Sequence, residues 1–151
     1  MDYIEKEFDY YDYHCVITFT ELGYRCGYIQ LKEDDYLYGK NFQEINDNHL
    51  LSIPLSYSGW VFPKKDDHFW IGFTCDNRGD KPDLNKVIEI WGEKPLVLTL
   101  LNMNKIPIIP KDGTIRDVEY VQDRVQRLVM EIKDENRRQN TRFKSEDEKS
   151  F

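Results

Sequence analysis

Apolar and polar residues alternate in two runs near the start of the chain, separated by a single turn signal. Tyr13-His14-Cys15-Val16-Ile17-Thr18-Phe19-Thr20 is β-branched and aromatic, Glu21-Leu22-Gly23 supplies the turn, and Tyr24-Arg25-Cys26-Gly27-Tyr28-Ile29-Gln30-Leu31 follows. This pattern predicts an antiparallel β-hairpin. Successive strand residues point to opposite faces, so Tyr24, Cys26, Tyr28 and Gln30 share one face while Arg25, Gly27, Ile29 and Leu31 share the other. Arg25 thus falls among core positions, and a buried guanidinium needs a partner, from the protein or from a ligand.

Lys32 to Asn48 is polar and Asp-rich and encloses Tyr36-Leu37-Tyr38-Gly39-Lys40-Asn41-Phe42, which reads as a long loop pinned by aromatics. Two further apolar runs, Ile53 to Trp60 and Trp70 to Cys75, flank the charged connector Lys64 to His68 and predict a second antiparallel pair. Leu84, Val87, Ile88 and Trp91 recur at spacings of three and four, as in about two turns of helix, with a strand left open by the β-branched content. Pro95 to Met103 reads as a core strand, and Pro107-Ile108-Ile109-Pro110 as an extended segment. After it, Thr114 and Asp117 form an N-cap pattern. Ile115, Val118, Val121, Val125, Leu128, Val129 and Ile132 then mark one apolar stripe, predicting a helix from Thr114 to about Ile132 that packs on the sheet. Each aliphatic buried on it is worth ~1.5–3 kcal/mol before entropic costs. Charged and amide residues dominate from Asp134 onward, predicting a frayed or disordered tail over residues 134–151. The expected fold is a single α+β domain over residues 1–133, an antiparallel sheet packed by a long C-terminal helix.

Composition narrows the partners. The 151-residue chain carries 21 Lys and Arg against 28 Asp and Glu, a net charge of −7. Polynucleotides and anionic membrane surfaces are therefore excluded as expected partners, and an anionic ligand requires a local basic pocket. The apolar run Pro95 to Leu101 is far short of the ~18 residues of a membrane span. Met1 to Glu7 is acidic and lacks the basic and apolar regions of a secretory signal, so an intracellular setting is expected. Cys15, Cys26 and Cys75 are odd in number and not at metal-ligand spacing, which predicts reduced, packed thiols. No metal and no cofactor are expected.

Candidate chemistry concentrates where the apolar Trp70-Ile71-Gly72-Phe73 strand runs into Thr74-Cys75-Asp76-Asn77-Arg78-Gly79-Asp80. Asn77, Arg78 and Asp80 sit at a turn that side chains can leave for solvent or a ligand, with Gly79 free to take positive φ. Catalysis fits poorly: Cys75 has no histidine in its own motif, no nucleophile elbow frames Ser56 or Ser58, and no glycine-rich phosphate loop is present. Binding fits better. Arg25, Lys40 and Arg78 supply cations worth ~1.5–3 kcal/mol per charge-assisted bond, and Tyr38, Tyr57, Trp60 or Trp70 a stacking face worth ~1–3 kcal/mol. The expected site is one concavity between the Ser56-Tyr57-Ser58 strand and the Asn77 to Asp80 turn, with Arg78 as principal cation and Tyr57 or Trp60 as stacking surface. The alternative for each residue is structural: sheet-packing aromatics, and Arg25 in a strand-pair salt bridge.

Several motifs resemble a family of small proteins met in phage and prophage genomes. They are Cys15-Val16, Leu22-Gly23-Tyr24-Arg25-Cys26-Gly27-Tyr28, Leu37-Tyr38-Gly39-Lys40, Leu55-Ser56-Tyr57-Ser58-Gly59, Ile71-Gly72-Phe73-Thr74-Cys75 with Gly79-Asp80, and Glu119-Tyr120-Val121. The likeness spans Cys15 to about Ile132. It departs at Ser52-Ile53-Pro54, where the family pattern has His-Gly-Gly, at Thr74 for an Asp, and at Asn77 for a second His. The resemblance implies a phage origin and a shared fold, and it carries no settled activity. By analogy of size and habit, the expected function is counter-defence in the host cytoplasm. The protein would bind and sequester a small nucleotide immune signal, of cyclic ADP-ribose type or a cyclic oligonucleotide, without catalysis. Inhibition of a host defence protein through an acidic surface is the alternative, an enzyme acting on a nucleotide a third, and a homo-oligomer stays open.

Overall fold

The computed structural model describes residues 2–92 and 113–149, with side chains of the last helix described as far as Arg142. Its centre is a five-stranded antiparallel sheet of β1 (Tyr3–Tyr10), β2 (Tyr13–Phe19), β3 (Arg25–Gln30), β4 (Tyr57–Gly59) and β5 (Trp70–Thr74), in the order β1-β2-β3-β5-β4. Two short helices, α1 (Phe42–Asp47) and α2 (Leu84–Trp91), lie in the connections, and α3 (Val118–Lys149) closes the fold. Two-residue strands β6 (Asp80–Lys81) and β7 (Thr114–Ile115) pair in parallel apart from the main sheet. The fold is α+β, as the sequence pattern implies.

Both predicted antiparallel pairs form, β2 with β3 through the Thr20 to Tyr24 turn and β4 with β5. Five of the seven residues of the predicted stripe form the core: Val121, Val125, Leu128, Val129 and Ile132 are all buried against Cys15, Ile17, Ile29, Ile71 and Phe73 of the sheet, while Val118 is half-buried and Ile115, in β7, is exposed. The three cysteines are free and buried.

Four boundaries differ from the sequence expectation. The sequence predicts no strand over residues 3–10, because four charges among them hide the alternation. The strand forms because Phe8 and Tyr10 reach the core and a two-residue turn, Tyr11 at φ 47° and Asp12 at φ 65°, matches the strand twist. The helix begins at Val118, not Thr114: Asp117 Oδ1 accepts from the Tyr120 N–H at 2.8 Å and serves as the cap, while Thr114 and Ile115 are taken by pairing with Asp80 and Lys81. It also continues beyond Ile132 to Lys149. Glu135 is buried and accepts from Gln139 Nε2 at 2.9 Å, and Asn136 Nδ2 donates to Asp35 at 2.8 Å, so contacts anchor the helix where the sequence expects fraying. The Lys32 to Asn48 loop contains α1, capped by Asn41. The expected segments Pro95 to Met103 and Pro107 to Pro110 lie outside the described residues.

Candidate functional site

The chain leaves β5 at Thr74, and Cys75 still donates its N–H to the Arg25 carbonyl at 2.9 Å. A tight turn follows. Asp80 N–H donates to the Asn77 carbonyl at 2.9 Å, the Asn77 N–H donates back to Asp80 Oδ2 at 3.0 Å, and Gly79 takes φ +95°. The β6–β7 pair then carries the segment before α3 alongside this turn, which sets Arg116 beside Asp80. Arg116 Nε donates to Asp80 Oδ1 at 2.8 Å. Between the 53–56 segment, the end of β5, the turn and the first turns of α3 lies a cavity of about 380 Å³.

Its charge is opposite in sign to that of the whole chain. Arg78, Arg116 and Arg124 line it, and Asp80, already bonded to Arg116, is the single carboxylate among the described residues of the lining. Arg116 is held charged by its bond to Asp80, which raises its pKa further. Tyr120 joins two of the cations: the Arg116 and Arg124 guanidinium carbons stand 4.5 and 5.2 Å from its ring centre, and Arg124 Nη1 donates to its hydroxyl at 2.7 Å. Arg78 is exposed and has no hydrogen-bond or ion-pair partner among the described residues. Ile53, Pro54, Leu55 and Phe73 supply an apolar wall. Nearby, Asp76 lies outside the lining and accepts from the Thr74 hydroxyl at 2.6 Å.

Of the residues expected to bind a ligand, Ser56, Asn77, Arg78 and Asp80 meet in this cavity. The others do not. Tyr57 pairs with Gly72 and therefore projects from the sheet face opposite Phe73 and Cys75, where it packs against Tyr28 and Phe62 and its hydroxyl accepts from the Phe62 N–H at 3.2 Å. The Ser58 hydroxyl accepts from the Phe42 N–H at 2.9 Å. Tyr38 and Trp60 form an aromatic cluster with Phe69 away from the cavity lining, and Lys40 is spent on Glu44 at 3.6 Å and on the face of Tyr36. Trp70 is fully buried and donates its indole N–H to Asp66 at 3.0 Å. Neither expected stacking surface, Tyr57 or Trp60, faces the cavity.

Arg25 is a structural group. It is 5% exposed, pairs with Glu5 through Nε at 2.6 Å and Nη2 at 3.1 Å, and donates from Nη1 to Asp83 and to the Arg116 carbonyl, each at 3.2 Å. Burial alone would lower its pKa, and the Glu5 and Asp83 carboxylates more than offset this. Arg116, Tyr120 and Arg124 were not expected at the site: Tyr120 and Arg124, four apart, share one face of α3, but Arg116 precedes the helix and reaches them only through the fold.

Cys75 lines the cavity as a neutral thiol. Burial pushes its pKa up to about 12, with the Asp80 charge adding to the shift and Arg124 and Arg116 opposing it. The lining contains no histidine; His14 is bonded to Asp9 and Glu7, and His68 to Asp66. Among the described residues no cluster of His, Cys, Asp and Glu could hold a metal ion, and no helix is long and apolar enough to cross a membrane. Fold and cavity thus define a small α+β domain with a cationic recess on an acidic body. No family model matches the chain, and neither a curated protein nor a solved structure is found to match it.

Proposed function

We propose that this chain captures a small phosphorylated ligand, a nucleotide signal, in the cavity between the Asn77 to Asp80 turn and α3, and holds it without converting it. The observation that carries this reading is the gathering of three guanidiniums around one neutralised carboxylate in a chain of net charge −7. Guanidiniums are planar donor forks suited to phosphoryl oxygens, and each charge-assisted bond adds ~1.5–3 kcal/mol. The neutral Cys75 thiol and the absence of a histidine in the lining favour holding over turnover. If the phage resemblance holds, such capture would act in the host cytoplasm, withdrawing an immune signal.

The test is release of intact ligand. The purified protein is incubated with a panel of signalling nucleotides, separated from free ligand, heat-denatured, and the supernatant analysed by mass spectrometry. One nucleotide should be released unchanged, and Arg78→Ala should retain at least tenfold less of it at an unaltered unfolding temperature, as loss of one or more charge-assisted bonds predicts. A chemically altered nucleotide would make the protein an enzyme, and retention unaffected by Arg78→Ala would move the site elsewhere.

A further inference from the structure

Resting on that reading, we infer that the cavity selects ligands whose phosphoryl charge is doubled at one place, a phosphomonoester or a diphosphate, over singly charged phosphodiesters. Of the two signal types offered by analogy, this favours the cyclic ADP-ribose type, whose diphosphate concentrates two charges, over cyclic oligonucleotides, whose diesters are dispersed.

Charge balance comes first. Arg116 and Asp80 cancel each other, which leaves Arg78 and Arg124 as an excess of two positive charges among the described residues of the lining. A phosphomonoester carries about −1.5 to −2 at neutral pH and matches that excess; a diester carries half as much. Geometry agrees. Through Tyr120, the Arg116 and Arg124 guanidinium carbons lie no more than about 10 Å apart, within the span of two adjacent phosphates. Among the described residues only Nε of Arg116 and Nη1 of Arg124 are engaged, so both forks retain donors.

Size and stacking point the same way. At about 380 Å³ the cavity lies at the low end of the roughly 300–1,000 Å³ typical of ligand sites, suited to a single nucleotide or sugar phosphate. The Tyr120 ring already carries two guanidiniums, and neither aromatic expected to stack a base lies in the lining. Recognition therefore rests on the phosphoryl group, with the organic part against Ile53, Pro54, Leu55 and Phe73.

A matched pair of ligands isolates the charge: adenosine 5′-monophosphate is a dianion and 3′,5′-cyclic adenosine monophosphate a monoanion of nearly the same shape. Calorimetric titration of the full chain with these two, with ADP-ribose and with a cyclic dinucleotide should show the monoester and the diphosphate binding at least about tenfold tighter than either cyclic diester, the difference expected for one charge-assisted bond. Arg124→Gln should bring monoester and cyclic monophosphate to near parity while leaving the unfolding midpoint in place. A cyclic diester that binds as tightly as the monoester would overturn the dianion inference and leave anion capture standing. Failure of every phosphate ligand to bind would overturn both.

Discussion

Gly27 lies in the middle of β3 beneath α3, and a Cβ added there would stand 2.7 Å from both Phe73 Cζ and Val125 Cγ2, and 2.8 Å from Phe73 Cε1. Both neighbours are buried, Phe73 at 3% and Val125 at 0% exposure, so neither can swing into solvent. Two effects compete in Gly27→Ala. Removing glycine from a strand interior should stabilise by ~0.5–1 kcal/mol, because the unfolded chain loses freedom. Overpacking a filled core should cost ~1–3 kcal/mol, because strand and helix must separate or distort. At these distances the second wins, and a net loss of ~1–2 kcal/mol is expected in urea unfolding with an unchanged denaturant slope. A double-mutant cycle sharpens the test. Val125→Ala alone removes two buried methyl groups and should cost ~1.5–3 kcal/mol, cavity included. Combined with Gly27→Ala, part of the vacated space accepts the new methyl, so the double variant should be less destabilised than the sum of the singles by ~1 kcal/mol; relief stays partial because Phe73 remains. A neutral or stabilising Gly27→Ala, or strict additivity in the cycle, would refute this account of the helix–sheet contact.

Leu128→Ala should cost ~2–5 kcal/mol in the same assay, since Leu128 is 1% exposed within the main core; a loss under half a kilocalorie would mean that the helix face is not packed as described. Thiol titration should count three cysteines in denaturant and react slowly in the native protein, because burial lifts Cys15 and Cys75 to about 12 and Cys26 to about 11; rapid native alkylation of Cys75 would contradict that. For His14, burial alone would lower the pKa, but the Asp9 carboxylate at 2.8 Å and the Glu7 carboxylate at 3.0 Å raise it above its ordinary 6.5. A folded pKa above the unfolded one stabilises fully below pH 6.5 and is lost as pH rises through the folded value, so unfolding midpoints measured from pH 6 to 9 should fall slightly more in the native chain than in His14→Gln.

What was legible in the sequence was periodic. The α3 stripe from Val121 to Ile132 keeps its spacing over three turns, and Tyr13 to Leu31 holds two alternating runs around one turn, so local pattern and tertiary packing agree there. What was hidden depended on distant pairing. Thr114 offers a good cap locally and is lost to β7 only because residues 79–81, some thirty positions earlier, pair with it. The site was half legible for the same reason. The Ser56 to Ser58 strand and the Asn77 turn do converge, yet sheet register decides which face a residue shows: Tyr57 opposite Gly72 turns away from the cavity, while Ser56 on the alternate face lines it. Arg116 and Arg124 needed a third comparison, of helix face with strand end, that no local spacing contains.

Arg25 shows how the buried frame and the cavity depend on one another. The bulge in β1 leaves Glu5 without a cross-strand partner, since Ile4 pairs with Thr18 and Lys6 with Ile17, and a bulge redirects a side chain. Glu5 turns to meet Arg25, which also holds the Asp83 cap of α2 and the backbone carbonyl of Arg116. From there Arg116 reaches Asp80, and Asp80 holds the Asn77 N–H of the turn that bears Arg78. Such buried pairs contribute little net stability, because desolvation offsets much of their attraction, whereas losing one partner strands the other at a cost of ~3–5 kcal/mol. Arg25 is therefore best understood as a positioning group. Arg25 is not itself among the lining residues, but it fixes the backbone from which Arg116 projects, and through Asp80 the spacing between Arg116 and Arg78. Under the proposed reading, selectivity for concentrated charge would depend on that spacing, so the guanidinium buried at the start of the central strand and those lining the cavity form one connected arrangement.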